Sequence, residues 1–67
     1  MKEFDKNARE KIRVFISEYK GKNILNIRIF YQDIDGEWKP SKKGVALPLS
    51  IAEDVLNGAL DELKAGV

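Results

Sequence analysis

The sequence predicts an α+β domain, with a four-stranded antiparallel sheet followed by one C-terminal amphipathic helix. Three observations carry this expectation. Residues from Lys11 to Gln32 alternate between apolar and polar, clusters rich in Lys/Gly and Asp/Gly interrupt the strand pattern, and apolar residues between Ile51 and Leu63 recur at helical spacing.

The first strand is expected over Lys11 to Tyr19, where Ile12, Val14 and Ile16 share one parity and Arg13, Phe15, Ser17 and Tyr19 the other. Lys20-Gly21-Lys22 then turns the chain. Ile24 to Gln32 repeats the alternation, with Leu25, Ile27 and Ile29 set against Asn26, Arg28 and Phe30, so the two segments read as a long hairpin. Asp33-Ile34-Asp35-Gly36 supplies a second turn, because Asp-Gly tolerates positive φ. A short third strand follows at Glu37 to Lys39. Pro40 lacks a donor N–H and marks its end, Ser41 to Lys43 turns again, and Gly44 to Leu47 forms the fourth strand. Residues 1–10 are polar and mixed in charge and read as a flexible arm, leaving 11–67 as the folded domain.

Ser50 and Glu53 have the spacing of a capping box, and Lys64 and Gly66 suit a helix end. Between them Ile51, Ala52, Val55, Leu56, Ala59, Leu60 and Leu63 cover about half the circumference, more than the roughly 100° stripe that packing on one sheet requires. The surplus suggests that the helix also meets the same helix of a second copy. A chain of 67 residues has a marginal core. With no Cys or His to supply a disulfide or a zinc site, dimerisation is the remaining common remedy.

The missing Cys and His also remove the usual general base, thiol nucleophile and soft metal ligands, so no catalytic residue, metal site or cofactor is expected. No run resembles a signal peptide and none approaches about 18 consecutive apolar residues, so a cytoplasmic, nucleoid-associated protein without membrane contact is expected. Net charge is only +1, but residues 1–47 hold eleven Lys/Arg against seven Asp/Glu, whereas residues 48–67 hold one Lys against four Asp/Glu. The strand region is therefore basic and the helix acidic.

Within the basic region, cations interleave with aromatics, a combination that suits single-stranded nucleic acid: phosphates meet the cations and unpaired bases stack on the rings. Tyr19, Tyr31 and Trp38 lie near strand ends, where a core rarely extends. Lys20, Lys22, Lys39, Lys42 and Lys43 cluster in turns, where solvated lysines are common in any protein. Arg28, between Ile27 and Ile29, is not explained by turn solubility and points to a phosphate or carboxylate partner.

The run Tyr19-Lys20-Gly21-Lys22, the Asn26-Ile27-Arg28 followed by paired aromatics, and above all Asp35-Gly36-Glu37-Trp38-Lys39-Pro40-Ser41-Lys42-Lys43-Gly44 resemble the transcriptional positive cofactor 4 family. The resemblance spans about residues 11 to 63. It implies a sheet-and-helix domain, dimerised largely through the helices, that binds single-stranded or melted DNA with little sequence preference. The family's stacking positions fall on Tyr19 and Tyr31, and its basic positions on Lys20, Lys22, Arg28, Lys42 and Lys43. The chain lacks the long Ser- and Lys-rich tail of eukaryotic members, as a compact bacterial member would.

The expected function is sequence-tolerant single-stranded DNA binding in transcription, replication or repair, by a homodimer. A protein-binding or dimerisation module and a single-stranded RNA binder are the alternatives. Tyr31 lies on the opposite strand parity from Arg28, so a bulge or strong twist is needed to bring both to one ligand.

Overall fold

A computed structural model describes residues 1–66, which form four antiparallel strands and one helix. The strands β1 (Lys2–Asn7), β2 (Glu10–Tyr19), β3 (Lys22–Gln32) and β4 (Trp38–Pro48) lie side by side in chain order, and α1 spans Leu49–Ala65. The architecture is the expected one, but two of its strands are composed differently.

Residues 2–7 form an edge strand where a flexible arm was expected. Their sequence carries one apolar residue, Phe4, and so has no visible alternation. What pairs them is charge across the ladder: Glu3 faces Arg13 and Asp5 faces Lys11, and opposite charges directly opposed stabilise a strand pair. An exposed, charged strand is also what a sheet edge tolerates. The sheet therefore includes residues 2–7 as its first strand.

The two short strands expected on either side of Pro40 are one strand, β4. β4 is the other edge of the sheet, so the N–H missing at Pro40 costs no pairing on the outer side. The expected turn at Ser41–Lys43 is a bulge. The register passes from Arg28↔Gly44 to Phe30↔Pro40, leaving three residues of β4 opposite Ile29 alone. The Ser41 hydroxyl donates to the Ile29 carbonyl at 2.7 Å and accepts the Lys43 N–H at 3.1 Å, replacing ladder bonds that the bulge removes.

The β2–β3 hairpin closes through the two residues Lys20 and Gly21, both at positive φ (51° and 79°), as a right-twisted hairpin requires. Its register runs unbroken from Glu10↔Tyr31 to Tyr19↔Lys22. In the next loop the Asp33 carboxylate accepts the N–H groups of Asp35 and Glu37, at 2.9 and 3.0 Å, and Gly36 takes positive φ.

Paired residues share a face, which sorts the sheet into two sides. One carries Phe4, Ile12, Val14, Ile16, Leu25, Ile27, Ile29, Tyr31, Val45 and Leu47; the other carries Glu3, Lys11, Arg13, Phe15, Tyr19, Lys22, Asn26, Arg28, Phe30 and Trp38. The aliphatic side is not fully covered in the single chain: Ile16 and Val45 are each about half exposed (54% and 51%). α1 meets only β3 and β4, and among the described residues Ala52 is its one buried side chain. Leu49, Ile51, Val55, Leu56, Leu60 and Leu63 all remain exposed.

The capping box is also absent. β4 runs straight into the helix, Pro48 takes the N-cap position, and Ser50 already lies in the first turn. At the other end Gly66 caps the helix, its N–H donating to the Glu62 carbonyl at 2.8 Å.

Candidate nucleic-acid interface

The sheet distributes the residues singled out from sequence over three places. Tyr19, Lys20 and Lys22 sit at the tip of the β2–β3 hairpin, with Tyr19 largely exposed and the Lys20 ammonium 5.3 Å from its ring centroid. Tyr19 and Lys22 are register partners and therefore share a face. The turn that presents Lys20 depends on Gly21 beside it.

Arg28, Lys42 and Lys43 lie at the middle of the sheet. Arg28 is half-buried between Arg13 on β2 and Gly44 on β4. Its Nη1 donates to the Ser41 carbonyl at 3.3 Å, which ties the arginine to the bulge. The bulge itself presents Lys42 and Lys43, both exposed. The Lys43 charge acts on Glu10, a residue of the aliphatic side, while β3 and β4 lose register beside Arg28. The local reason is Gly44 at φ 146°, a conformation that L side chains rarely adopt.

Tyr31, Trp38 and Lys39 lie at the far end, about 30 Å along β3 from Lys22 at 3.3 Å per residue. They are not brought onto one surface. Tyr31 pairs in register with Glu10 and Lys39 on the aliphatic side, whereas Trp38 lies on the cationic side. The bulge does not reconcile Tyr31 with Arg28, because it belongs to β4 and leaves β3 regular. Neither Trp38 nor Lys39 is fully free. The Lys11 ammonium stands 4.7 Å from the Trp38 ring centroid. The Lys39 ammonium pairs with Asp33 at 2.9 Å, a contact that raises the lysine's pKa and is the largest influence lowering that of the carboxyl.

Residues not selected from sequence join the cationic side. The Arg13 guanidinium lies 4.3 Å from the Phe30 ring centroid and donates from Nε to Glu3 at 2.7 Å. Lys11 reaches the same carboxylate at 3.2 Å. The Arg13 and Lys11 contacts hold the Glu3 carboxyl below its ordinary range. Strand parity placed Arg13 beside Arg28, but the link to Glu3 was hidden by reading residues 1–10 as an arm. Beneath the hairpin, the buried Asn26 donates to the Ser17 hydroxyl at 2.7 Å, a polar crosslink between β2 and β3.

The chain belongs to the family of the transcriptional coactivator p15 (PC4), whose family model it matches over residues 6–57. Among solved structures it is similar to the PC4 homolog of Burkholderia pseudomallei in two crystal forms. Both are 25% identical over 90% of this chain, covering 81% and 88% of theirs, with TM-scores of 0.80 and 0.81. It is also similar to a bacteriophage T5 homolog of the eukaryotic coactivator, implicated in recombination-dependent DNA replication. That protein is 25% identical over 97% of this chain and 77% of its own, with a TM-score of 0.74. No described helix is long and apolar enough to cross a membrane.

Proposed function

We propose that this protein is a homodimeric, sequence-tolerant binder of single-stranded or melted DNA, serving transcription, replication or repair. The observation that supports the reading is the β4 bulge, which sets the exposed Lys42 and Lys43 next in register to Arg28 on β3, the strand that Lys22 begins at the hairpin tip. Together with Lys20 these cations neutralise phosphates, and Tyr19 supplies an exposed ring on which a base stacks. Tyr31 stacks a base that reaches round the sheet to its other side. Trp38, with a cation on its ring, and Lys39, paired to Asp33, make smaller contributions.

Dimerisation is supported by the helix. Six large apolar side chains of α1 are 39–64% exposed in the single chain, an unfavourable arrangement for a domain with so little core. A second copy covers them, and two linked binding surfaces then engage one strand through effective concentration.

Titration of labelled oligo-dT, oligo-rU and duplex DNA at several salt concentrations tests the reading. If about four phosphates are neutralised, log K for oligo-dT falls with log salt at a slope near −3, from roughly 0.7 per phosphate on single strands. Duplex DNA binds more weakly. A flat salt response, or absence of binding to every oligonucleotide, overturns the proposal in favour of a protein-binding module.

A further inference from the structure

On the cationic side of the sheet, Arg13 and Arg28 are direct register partners across β2 and β3. Like charges placed directly opposite destabilise a strand pair unless an anion lies nearby. Each guanidinium carries five N–H donors. Among the described residues, Arg13 directs one at Glu3 and Arg28 one at the Ser41 carbonyl. Most of the donor capacity of this pair is therefore open.

The anion present is Glu3, on the edge strand β1. Its two carboxylate oxygens divide between Lys11, at 3.2 Å, and Arg13, at 2.7 Å. The two cations are in turn seated on rings of β3 and β4, Arg13 on Phe30 and Lys11 on Trp38. Two cations set against aromatic rings and bridged by one carboxylate offer the donors that a phosphate diester uses.

We infer that Lys11 and Arg13, with Arg28 alongside, form a further phosphate position, and that Glu3 occupies it in the free protein until a single-stranded nucleic acid displaces it. The inference rests on the function proposed above and extends it in two respects. It carries the backbone track from the β4 bulge across β3 onto β2, and it gives the protein an internal competitor for its own ligand. Phe30 positions Arg13 and Trp38 positions Lys11 in this arrangement.

The test is fluorescence anisotropy with labelled oligo-dT for the wild type, Glu3→Gln, Arg13→Gln and the double variant, with circular dichroism melting to verify folding. Glu3→Gln is expected to tighten binding about threefold to tenfold at low salt. It should also steepen the salt slope by about 0.7, the increment for one phosphate. Arg13→Gln weakens binding, and in its presence the Glu3→Gln gain disappears.

A second measurement needs no variant: acylation of lysines in the wild-type protein, read by mass spectrometry, with and without oligo-dT. Lys11 should become protected together with Lys42 and Lys43. Wild type that binds oligo-dT, with folded Glu3→Gln unchanged in affinity and slope or with Lys11 equally reactive in the complex, overturns this inference alone. Absence of oligo-dT binding by both wild type and Glu3→Gln overturns it together with the proposed function.

Discussion

Gly44 lies opposite Arg28 across β3 and β4, so close that a Cβ at position 44 would stand 2.9 Å from the Arg28 Cα. With φ at 146°, no L side chain fits there without strain. This approach closes the bulge that carries Lys42 and Lys43 next in register to the arginine.

Gly44→Ala is accordingly expected to destabilise the protein by about 1–3 kcal/mol, the range for a residue forced into a sparsely populated conformation. It should weaken DNA binding at temperatures where the variant is still folded. Thermal melting and oligo-dT titration measure the two effects. Gly21→Ala, where no atom lies within 4 Å, provides the comparison of positive φ without the backbone clash.

Replacing Lys42 and Lys43 together with Ala should weaken binding to all single-stranded sequences alike. It should make the salt slope shallower by about 1.4, two phosphates at 0.7 each. Tyr19→Ala should instead lower affinity by about 1–3 kcal/mol, the value of one stacked base, with little change in slope. Equal slopes for wild type and the double lysine variant would remove those lysines from the interface.

Leu60→Glu, on the exposed apolar face of α1, is expected to give a monomer by analytical ultracentrifugation and to lower oligo-dT affinity. A variant that sediments as the wild type does would show that this face is not the contact between copies.

Acid should unfold the protein partly through Asp33. Its carboxyl titrates below the ordinary carboxylate range, chiefly through the Lys39 ammonium and then the Glu37 N–H. A group depressed in the folded state stabilises fully above its unfolded pKa, about 3.9 for Asp, and that contribution fades as pH falls through the lower folded value. Glu3 and Glu10, depressed by Arg13 and by Asn7 respectively, act in the same direction. Urea midpoints should therefore fall as pH drops from about 5 to about 2. Asp33→Asn should fall less steeply than the wild type, since it keeps an acceptor for the turn but loses the charge.

Local pattern made the β2–β3 hairpin and the helix legible, because period-2 and period-3.6 alternation are properties of adjacent residues. Edge strands lack that signal. β1 is specified by Glu3 and Asp5 meeting cations six to ten residues away, and β4 by a bulge that tolerates Pro40 only because it is an edge. Strand parity did reveal that Tyr31 and Arg28 face opposite ways. It could not reveal that Trp38 and Lys39 already have partners.

The sequence by itself determined the class of fold, the basic strands and acidic helix, and the motif from Asp35 to Gly44 that carries the family. Only the tertiary structure decided which cations converge. Convergence depends on register, and register here turns on a bulge at Gly44 and on Glu3 reaching Arg13 and Lys11 from another strand, contacts between residues that are distant in the chain.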